Sequence, residues 1–177
     1  ILTTHEIVTA DTGKAEFTEY GEEVWNKLIK HNNQVFLTLN GHFWPSGRTS
    51  RTNAAGNKVE SHITNYQNRY YGGSGMIRSY RFKMRENKID VTTFSPWSKE
   101  LVQKGQANPL SRKEAELTTS TDKFTMHINF ESRFQALDNS KRSESSDDAV
   151  IKGTQAYWRF DRHEAGSPLS QLDVIKD

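Results

Sequence analysis

Two histidines occupy positions at which imidazole could do chemistry, because each directly follows a predicted strand. His5 ends the short apolar segment at the start of the chain, and His42 follows the buried strand Gln34–Leu39 across Asn40-Gly41. If the two strands are parallel, both histidines lie at one edge of a sheet, where α/β proteins commonly build their sites. Neutral imidazole is a common ligand of zinc, manganese and iron, so the pair predicts a metal site. The alternative is that both are ordinary loop histidines bonded to local groups.

A second group of side chains, aromatic and cationic, could hold a substrate. An arginine can bind a phosphate or carboxylate through two hydrogen bonds, and aromatic rings can stack on a base or a sugar. The alternative is that this aromatic-rich region packs against another part of a longer polypeptide. The group consists of Trp44, Arg48, Tyr66, Arg69, Tyr70 and Tyr71. His62, on a predicted neighbouring strand, is a further metal-ligand candidate for which packing is the favoured explanation; structural roles are also expected for His31, His127 and His163.

The elements predicted to position the two histidines are a strand, a helix and a second strand. Ile1–Thr4 is predicted as a short strand, and Gln34–Leu39 as a buried one. Between them, Glu19–His31 has apolar residues recurring every four positions, together with the pair Glu23 and Lys27, which favours a helix. The three elements together form a βαβ-like unit.

Beyond this unit the apolar period changes to two, which predicts antiparallel strands. Val59–Tyr66 is one such strand, and Met76–Met84 with Ile89–Phe94 is predicted to form a β-hairpin. Asp122–Glu131 has the cleanest alternation of the chain, and Ala156–Asp161 is a last aromatic strand.

The composition excludes several classes of site. The chain has no cysteine, which excludes disulfides, thiolate metal sites and cysteine nucleophiles. Its 24 Lys and Arg nearly balance 22 Asp and Glu, so no nucleic-acid partner is expected. No apolar run approaches the roughly 20 residues that a membrane span needs, and no membrane association is expected. Only 33% of the residues are hydrophobic, which is unusually polar for a compact domain. This composition indicates either a modest core with long solvated connections or a fragment that lacks its packing partners.

Several ordered motifs between Ile1 and Pro96 resemble the C-terminal half of the calcineurin-like metallophosphoesterases. They are ILTTHE, VFLTLNGH, the Gly-Arg pair at 47 and 48, NAAGN, NYQ, GGSGMIRSYRF and IDVTTFSP. The resemblance implies a four-layer α/β sandwich that holds two divalent metal ions (manganese, iron or zinc) and hydrolyses a phosphoester. It also implies that His5 is a metal ligand and that His42 is the first histidine of a Gly-His-x-His motif.

Two departures from the family pattern bear on activity. The second histidine of the Gly-His-x-His motif is Trp44 here, and the family's N-terminal ligand motifs are absent from the chain. Hydrolysis by two metals needs ions about 3.5–4 Å apart. The chain alone is therefore expected to hold at most a weak single-metal site and to be inactive, either as a fragment or as a pseudoenzyme. The missing N-terminal half, or a second copy of the chain, would be its partner.

Three segments are predicted along the chain. Residues 1–97 would be the C-terminal half of a metallophosphoesterase-like domain, 98–121 a linker or covering loop, and 122–177 a β-rich extension with a disordered stretch near 138–148. The motifs AYWRFD and DVIKD resemble the start of a laminin-G-like or concanavalin-like jelly-roll domain of the kind appended to secreted enzymes. This second resemblance implies an extracellular location.

The fold class expected from these patterns is α/β (α+β): a partial metallophosphoesterase-type sandwich with one βαβ-like unit followed by antiparallel β-hairpins. The expected function is that of a fragment of a metal-dependent phosphoester hydrolase. His5 and His42 would bind metal, and the substrate-binding residues would be Trp44, Arg48 and Tyr66. The alternative is a non-catalytic β-rich module that binds carbohydrate through exposed aromatic residues.

Overall fold

A computed structural model describes residues 1–11 and 14–134, together with two short strands at 157–158 and 174–175. The protein is a mixed α/β structure with several sheets. In chain order its elements are β1 (Leu2–Thr3), β2 (Val8–Thr9), β3 (Glu16–Phe17), α1 (Glu19–Lys27), a 3-10 turn (Ile29–His31), β4 (Leu37–Asn40), β5 (Gly47–Thr52), β6 (Lys58–Ile63), α2 (Tyr70–Gly73), β7 (Ile77–Lys83), a 3-10 turn (Met84–Glu86), β8 (Lys88–Phe94), α3 (Pro96–Gln103), α4 (Pro109–Glu114), β9 (Glu116–Leu117), β10 (Phe124–His127), α5 (Phe130–Phe134), β11 (Tyr157–Trp158) and β12 (Val174–Ile175).

The first sheet has the strand order β1-β4-β6-β5. β1 runs parallel to β4 and β4 runs parallel to β6, whereas β5 is antiparallel to β6. The carboxyl ends of β1, β4 and β6 therefore lie at the same edge of the sheet. Because α1 lies between β1 and β4 in the chain, the predicted βαβ-like unit is present, with a small β2–β3 hairpin inserted before the helix.

Helix α1 begins at a good capping residue and packs closely on the chain segment just before β2. The hydroxyl of Thr18 accepts a hydrogen bond from the Gly21 amide, which satisfies one of the free donors of the first turn. A Cβ at Gly21 would lie 1.9 Å from the Ile7 carbonyl oxygen, so only glycine allows this approach. The helix ends at Lys27, four residues before its predicted end at His31, and the chain continues as the 3-10 turn. Trp25 and Ile29 are buried in the core on this side of the first sheet.

The second sheet carries the predicted hairpin and packs on the other face of the first. Its order is β10-β8-β7, and β9 pairs with the end of β8. The β7–β8 hairpin is confirmed, with Tyr80 opposite Val91. Along β8 the residues Ile89, Val91 and Thr93 are buried, as the period of two predicts. Ile89 and Val91 share a core with Leu37 of β4, so the first sheet lies between α1 and the second sheet.

The stretch 98–121, predicted as a linker or covering loop, instead forms the end of α3, all of α4 and β9. Each helix has a proline in its first turn and a capping side chain before it. The hydroxyl of Ser95 accepts a hydrogen bond from the Ser98 amide, and the side chain of Asn108 accepts one from the Ser111 amide. These capping signals were present in the sequence and indicated helices.

Two predicted strands are shorter than expected. The strand predicted at Val59–Tyr66 ends at Ile63, after which the chain bends toward the loop that follows β4. The strand predicted at Asp122–Glu131 is limited to β10. It gives way to α5, where the side chain of Asn129 accepts a hydrogen bond from the Ser132 amide in the manner of a helix cap.

The chain divides into two compact units, Ile1–Ala136 and Leu137–Asp177. β10 pairs with β8 and lies in the first unit, although the sequence grouped it with the extension 122–177. In the second unit, β11 lies within the predicted strand Ala156–Asp161 and pairs antiparallel with β12. The stretch 138–148 and His163 lie outside the described residues. Among the residues that are described, no helix has the length and apolar character that a membrane crossing requires.

Candidate functional site

The side chains of His5 and His42 lie side by side at the carboxyl ends of β1 and β4. The Nε2 atom of His5 is 3.1 Å from the Nδ1 atom of His42, and the ring centroids are 4.4 Å apart at an angle of 61°. Both side chains are exposed to solvent. The juxtaposition expected from a parallel pair of strands is therefore present, and ring nitrogens of both residues meet at one accessible point.

A buried asparagine, which the sequence reading missed, fixes the backbone beneath this pair. The side chain of Asn40 donates hydrogen bonds to the carbonyl oxygens of Val8 (2.9 Å) and Gly41 (3.1 Å). Its own oxygen accepts a bond from the Val8 amide at 3.2 Å. The Gly41 amide then donates to the His5 carbonyl oxygen at 3.2 Å, so the two strand ends are joined directly. An asparagine that ends an apolar strand just before a glycine is the signal that could have identified it.

The loop that carries His42 is held from the third parallel strand. His42 has φ of +67°, a left-handed conformation that is uncommon outside glycine and therefore constrained by its surroundings. Asn65, two residues beyond β6, donates a hydrogen bond from its side chain to the His42 carbonyl oxygen at 3.0 Å. The Ser46 hydroxyl is 3.4 Å from the Asn65 carbonyl oxygen, which closes the loop. The ring of Phe43 packs edge-on against His42 at 4.4 Å.

The separation of the two imidazole nitrogens suits both a hydrogen bond and a shared cation. With zinc–nitrogen bonds of about 2.0–2.1 Å, two tetrahedral ligands lie about 3.3 Å apart and two octahedral neighbours about 2.9 Å apart. The observed 3.1 Å falls between these values. Across residues 1–11 and 14–134, no cluster of three or more histidine, cysteine, aspartate or glutamate side chains could hold a metal ion. The described part of the chain thus offers two nitrogen ligands, and a cation there would take its other ligands from water, substrate or another chain.

The three predicted substrate-binding residues are spread between this edge and the second sheet. Arg48, on β5, stacks its guanidinium over the ring of Phe124 at 4.1 Å and donates a hydrogen bond to the Ser120 carbonyl oxygen at 3.2 Å. Tyr66 places its hydroxyl 3.5 Å from that of Thr93. Trp44 lies two residues after His42, is half-buried, and precedes a cis peptide bond to proline. Arg48 and Tyr66 therefore bond to the second sheet.

His62 is buried between the two sheets. Its Nδ1 atom is 3.0 Å from the Tyr80 hydroxyl, and its Nε2 atom lies 3.7 Å from a carboxylate oxygen of Glu60. Burial lowers the pKa of His62 below its ordinary value, although the Glu60 carboxylate opposes this effect. The same burial raises the pKa of Tyr80 to about 12. His62 thus packs in the core, as favoured from the sequence, whereas His127 is exposed on β10.

The comparisons with known proteins leave the family open. No protein-family model matches the chain, and no solved structure matches it significantly. The chain is 20% identical over 191 aligned residues to the uncharacterized protein YvnB of Bacillus subtilis strain 168. That alignment covers the whole of this chain but 14% of YvnB, so the chain spans about a seventh of the length of this relative.

Proposed function

We propose that this chain is part of a metal-dependent phosphoester hydrolase, and that His5 and His42 bind one divalent cation of its active site. The observation that carries the proposal is the 3.1 Å approach of two exposed imidazole nitrogens at the carboxyl ends of neighbouring parallel strands. A divalent cation bound there would supply a Lewis acid for a phosphoryl oxygen. The resemblance in sequence to the calcineurin-like metallophosphoesterases supports manganese, iron or zinc as the metal and a phosphoester as the substrate. The resemblance to a jelly-roll domain of secreted enzymes supports an extracellular location.

The chain's own residues would bind and orient, and they do not complete the site. Asn40 and Asn65 hold the backbone of the histidine loops, so the backbone that carries both rings is fixed before a ligand arrives. Trp44 stands where the family has a second histidine, and it could stack on a substrate but could not bind a metal. A bidentate role of Arg48 toward phosphate would require its guanidinium to leave Phe124. We therefore expect the chain alone to be inactive.

The remaining ligands would come from the N-terminal half of the longer enzyme, docked beside β1. β1 is an edge strand of the first sheet, so one side of its backbone is available for pairing. An open groove of about 430 Å³ runs beside it, lined by Leu2, Val24 and Leu28 among others. Tyr20 at the same groove is exposed. An apolar groove next to an open strand suits a further strand with its covering element, and the relative's greater length supports the existence of additional chain.

Titration with Zn²⁺ and with Mn²⁺ followed by calorimetry tests the metal site. We expect the wild-type chain to bind one ion weakly, and His42→Ala to weaken binding about tenfold or more because it removes a ligand. His127→Ala, which removes an exposed histidine on another sheet, is the matched control and should leave the affinity unchanged. Equal metal affinities for wild type, His42→Ala and His127→Ala would show that the histidine pair is not the site.

Hydrolysis of bis(p-nitrophenyl) phosphate tests the activity. The chain alone should show none, and the longer protein that contains it should hydrolyse the ester in the presence of Mn²⁺ or Zn²⁺. His42→Ala in the longer protein should then lower kcat/KM at least about a hundredfold if the lost ligand holds a catalytic metal. An active longer protein that is indifferent to His42→Ala would refute the assignment. A dimer of the chain alone, seen by light scattering, would assign the β1 groove to a second copy instead of the N-terminal half.

A further inference from the structure

An exposed aromatic corner lies at the junction of α2 and α3. Tyr70, Tyr71 and Trp97 are 48%, 55% and 47% exposed. The rings of Tyr71 and Trp97 meet edge to face, with centroids 5.4 Å apart and an angle of 82°. We propose that Tyr71 and Trp97, flanked by Tyr70, form a binding platform for a neutral carbohydrate. This inference does not depend on the proposed hydrolase function.

The backbone that presents Tyr71 adopts an unusual conformation. Five consecutive residues, from Tyr71 to Gly75, have positive φ values between +55° and +114°. Glycine tolerates this region, but tyrosine and serine occupy it at a cost that the surrounding structure must offset. The strain therefore falls on the exposed Tyr71 and on the buried Ser74. A ligand-binding loop is a common place for such strain.

A buried ionic cluster holds this strained loop in place. The Glu114 carboxylate is fully enclosed and accepts two hydrogen bonds of 2.7 Å from Arg69 and one of 2.9 Å from the Ser74 hydroxyl. Burial raises the pKa of Glu114, but the bonds from Arg69 and Ser74 outweigh it, and the pKa lies below its ordinary value. The carboxylate is thus ionised at neutral pH, and the two loop ends are fixed around it. Such a support keeps the platform rigid before binding, which lowers the entropic cost of association.

The groups beside the platform are neutral hydrogen-bonding groups. The side-chain amide of Asn108 lies 3.3 Å from the Tyr71 hydroxyl and is exposed. Gln67, also exposed, lines an adjoining depression of about 260 Å³ together with Tyr66 and Met76. Amides and hydroxyls both donate and accept hydrogen bonds, which matches the hydroxyl groups of a sugar. Aromatic faces provide the apolar contact for the C–H face of a pyranose ring.

Several charges on the surrounding elements are paired with one another. Arg69 is bound to Glu114, Lys99 lies 2.9 Å from Glu116, and Glu100 lies 2.6 Å from Lys104. A nucleic acid would need free cations to neutralise its phosphates, and Arg69, Lys99 and Lys104 are engaged in these pairs. Because α4 also carries the exposed cations Arg112 and Lys113, the preference for an uncharged, hydroxyl-rich partner rests on the amide and hydroxyl groups beside the rings.

Calorimetric titration with a panel of short soluble oligosaccharides of glucose, xylose, mannose and N-acetylglucosamine tests the platform. We expect at least one of them to bind the wild-type chain without added metal. Trp97→Ala and Tyr71→Asn should each weaken that binding about tenfold, a magnitude typical of losing one stacked ring. Asparagine is chosen at position 71 because it tolerates the left-handed conformation. Near-ultraviolet circular dichroism and a melting curve establish that each variant is folded.

Tyr20→Ala is the matched control, because Tyr20 is an equally exposed aromatic residue (50%) on α1. It should leave sugar binding unchanged. The proposal is overturned if no oligosaccharide of the panel binds, if binding survives both platform substitutions, or if Tyr20→Ala weakens it as much. Binding of a proline-rich peptide or of single-stranded RNA that depends on Tyr71 and Trp97, without sugar binding, would also overturn it.

Discussion

Two histidines on neighbouring parallel strands of one sheet have opposite environments. In the pairing of β4 with β6, Leu39 lies opposite His62, and His42 follows Leu39 by three residues. His42 has passed the end of its strand and is exposed, with a ring nitrogen next to that of His5. His62 is still within its strand and points between the two sheets, where none of its surface is exposed.

The difference shows that the position of a histidine relative to the strand end decides what its imidazole can do. Beyond the carboxyl edge, the ring nitrogens of His42 can reach a ligand, because the sheet no longer covers them. Inside the sheet, His62 is limited to packing and to one hydrogen bond with Tyr80, and among the described residues its Nε2 atom has no hydrogen-bond partner. The same residue type is thus a metal-ligand candidate in one place and a core residue in the other.

The largest expected effect is on stability, from replacing the buried histidine. His62→Ala should lower the free energy of unfolding by about 2–4 kcal/mol, because it leaves a cavity between the sheets and removes the partner of the Tyr80 hydroxyl. His42→Ala, at an exposed position, should change it far less. Urea unfolding followed by circular dichroism measures both. If His42→Ala proves as destabilising as His62→Ala, the contrast between edge and core is wrong.

The sequence predicted this contrast only in part. It placed His5 and His42 at strand ends correctly, because short apolar runs followed by Gly and polar residues mark the ends of buried strands. It also identified the β7–β8 hairpin, since the alternation from Ile89 to Thr93 is the pattern of a sheet with one buried face. It did not predict Asn40 or Asn65 as supports, because their bonds join residues 32 and 23 positions apart.

Other elements were missed for local reasons. β5, with the sequence GRTSRT, has no apolar residue to reveal a strand, and pairing with β6 alone defines it. α3 and α4 were overlooked because their composition is charged, although Ser95-Pro96 and Asn108-Pro109 are helix-start signals. Likewise the contact of Arg48 with Phe124 links residues from different sheets, which no spacing within the sequence encodes.

The next effect concerns the coupling between His5 and His42 in metal binding. If both bind one ion, His5→Ala and His42→Ala should each weaken Zn²⁺ binding about tenfold or more, and the double variant should be little weaker than either single one. If the two histidines bind separate ions, the wild type should bind two ions and each single variant should still bind one. Calorimetric titration of the four proteins with Zn²⁺ measures both the stoichiometry and the affinity, and two ions bound per wild-type chain would exclude a shared cation.

A smaller effect is the pH dependence of stability that His62 introduces. Burial lowers its folded-state pKa, and the charges of Arg78 and Arg48 lower it further against the opposing Glu60; Tyr80 faces the same ring. The unfolded chain, with a pKa near 6.5, binds the proton first, so stability should fall as pH drops from about 6.5 toward the folded-state pKa. The titration of one group changes the free energy of unfolding by at most about 1.4 kcal/mol per pH unit.

Urea unfolding at a series of pH values, for wild type and His62→Gln, isolates this contribution. His62→Gln should flatten the dependence above pH 5, whereas the control His127→Gln should leave it intact. Glu60, whose pKa is lowered, contributes stability that is lost only below about 4.5, so its effect falls in a separate, more acidic range. A wild-type stability that is constant between pH 5 and pH 7 would contradict the assigned burial of a neutral His62.

The smallest effect tests the backbone at the exposed histidine. At φ of +67°, His42→Ala keeps a Cβ in the left-handed region, which costs about 1–2 kcal/mol, whereas His42→Gly removes that cost. Glycine also increases the conformational entropy of the unfolded chain, which lowers the free energy of unfolding by about 0.4–1 kcal/mol and offsets part of the relieved strain. His42→Gly should therefore be about 0.5–1 kcal/mol more stable than His42→Ala, with the same loss of metal affinity. The reverse order in urea unfolding would mean that the left-handed turn is not imposed by Asn65 and the strand end, and the histidine loop would then lack the fixed orientation on which its proposed role depends.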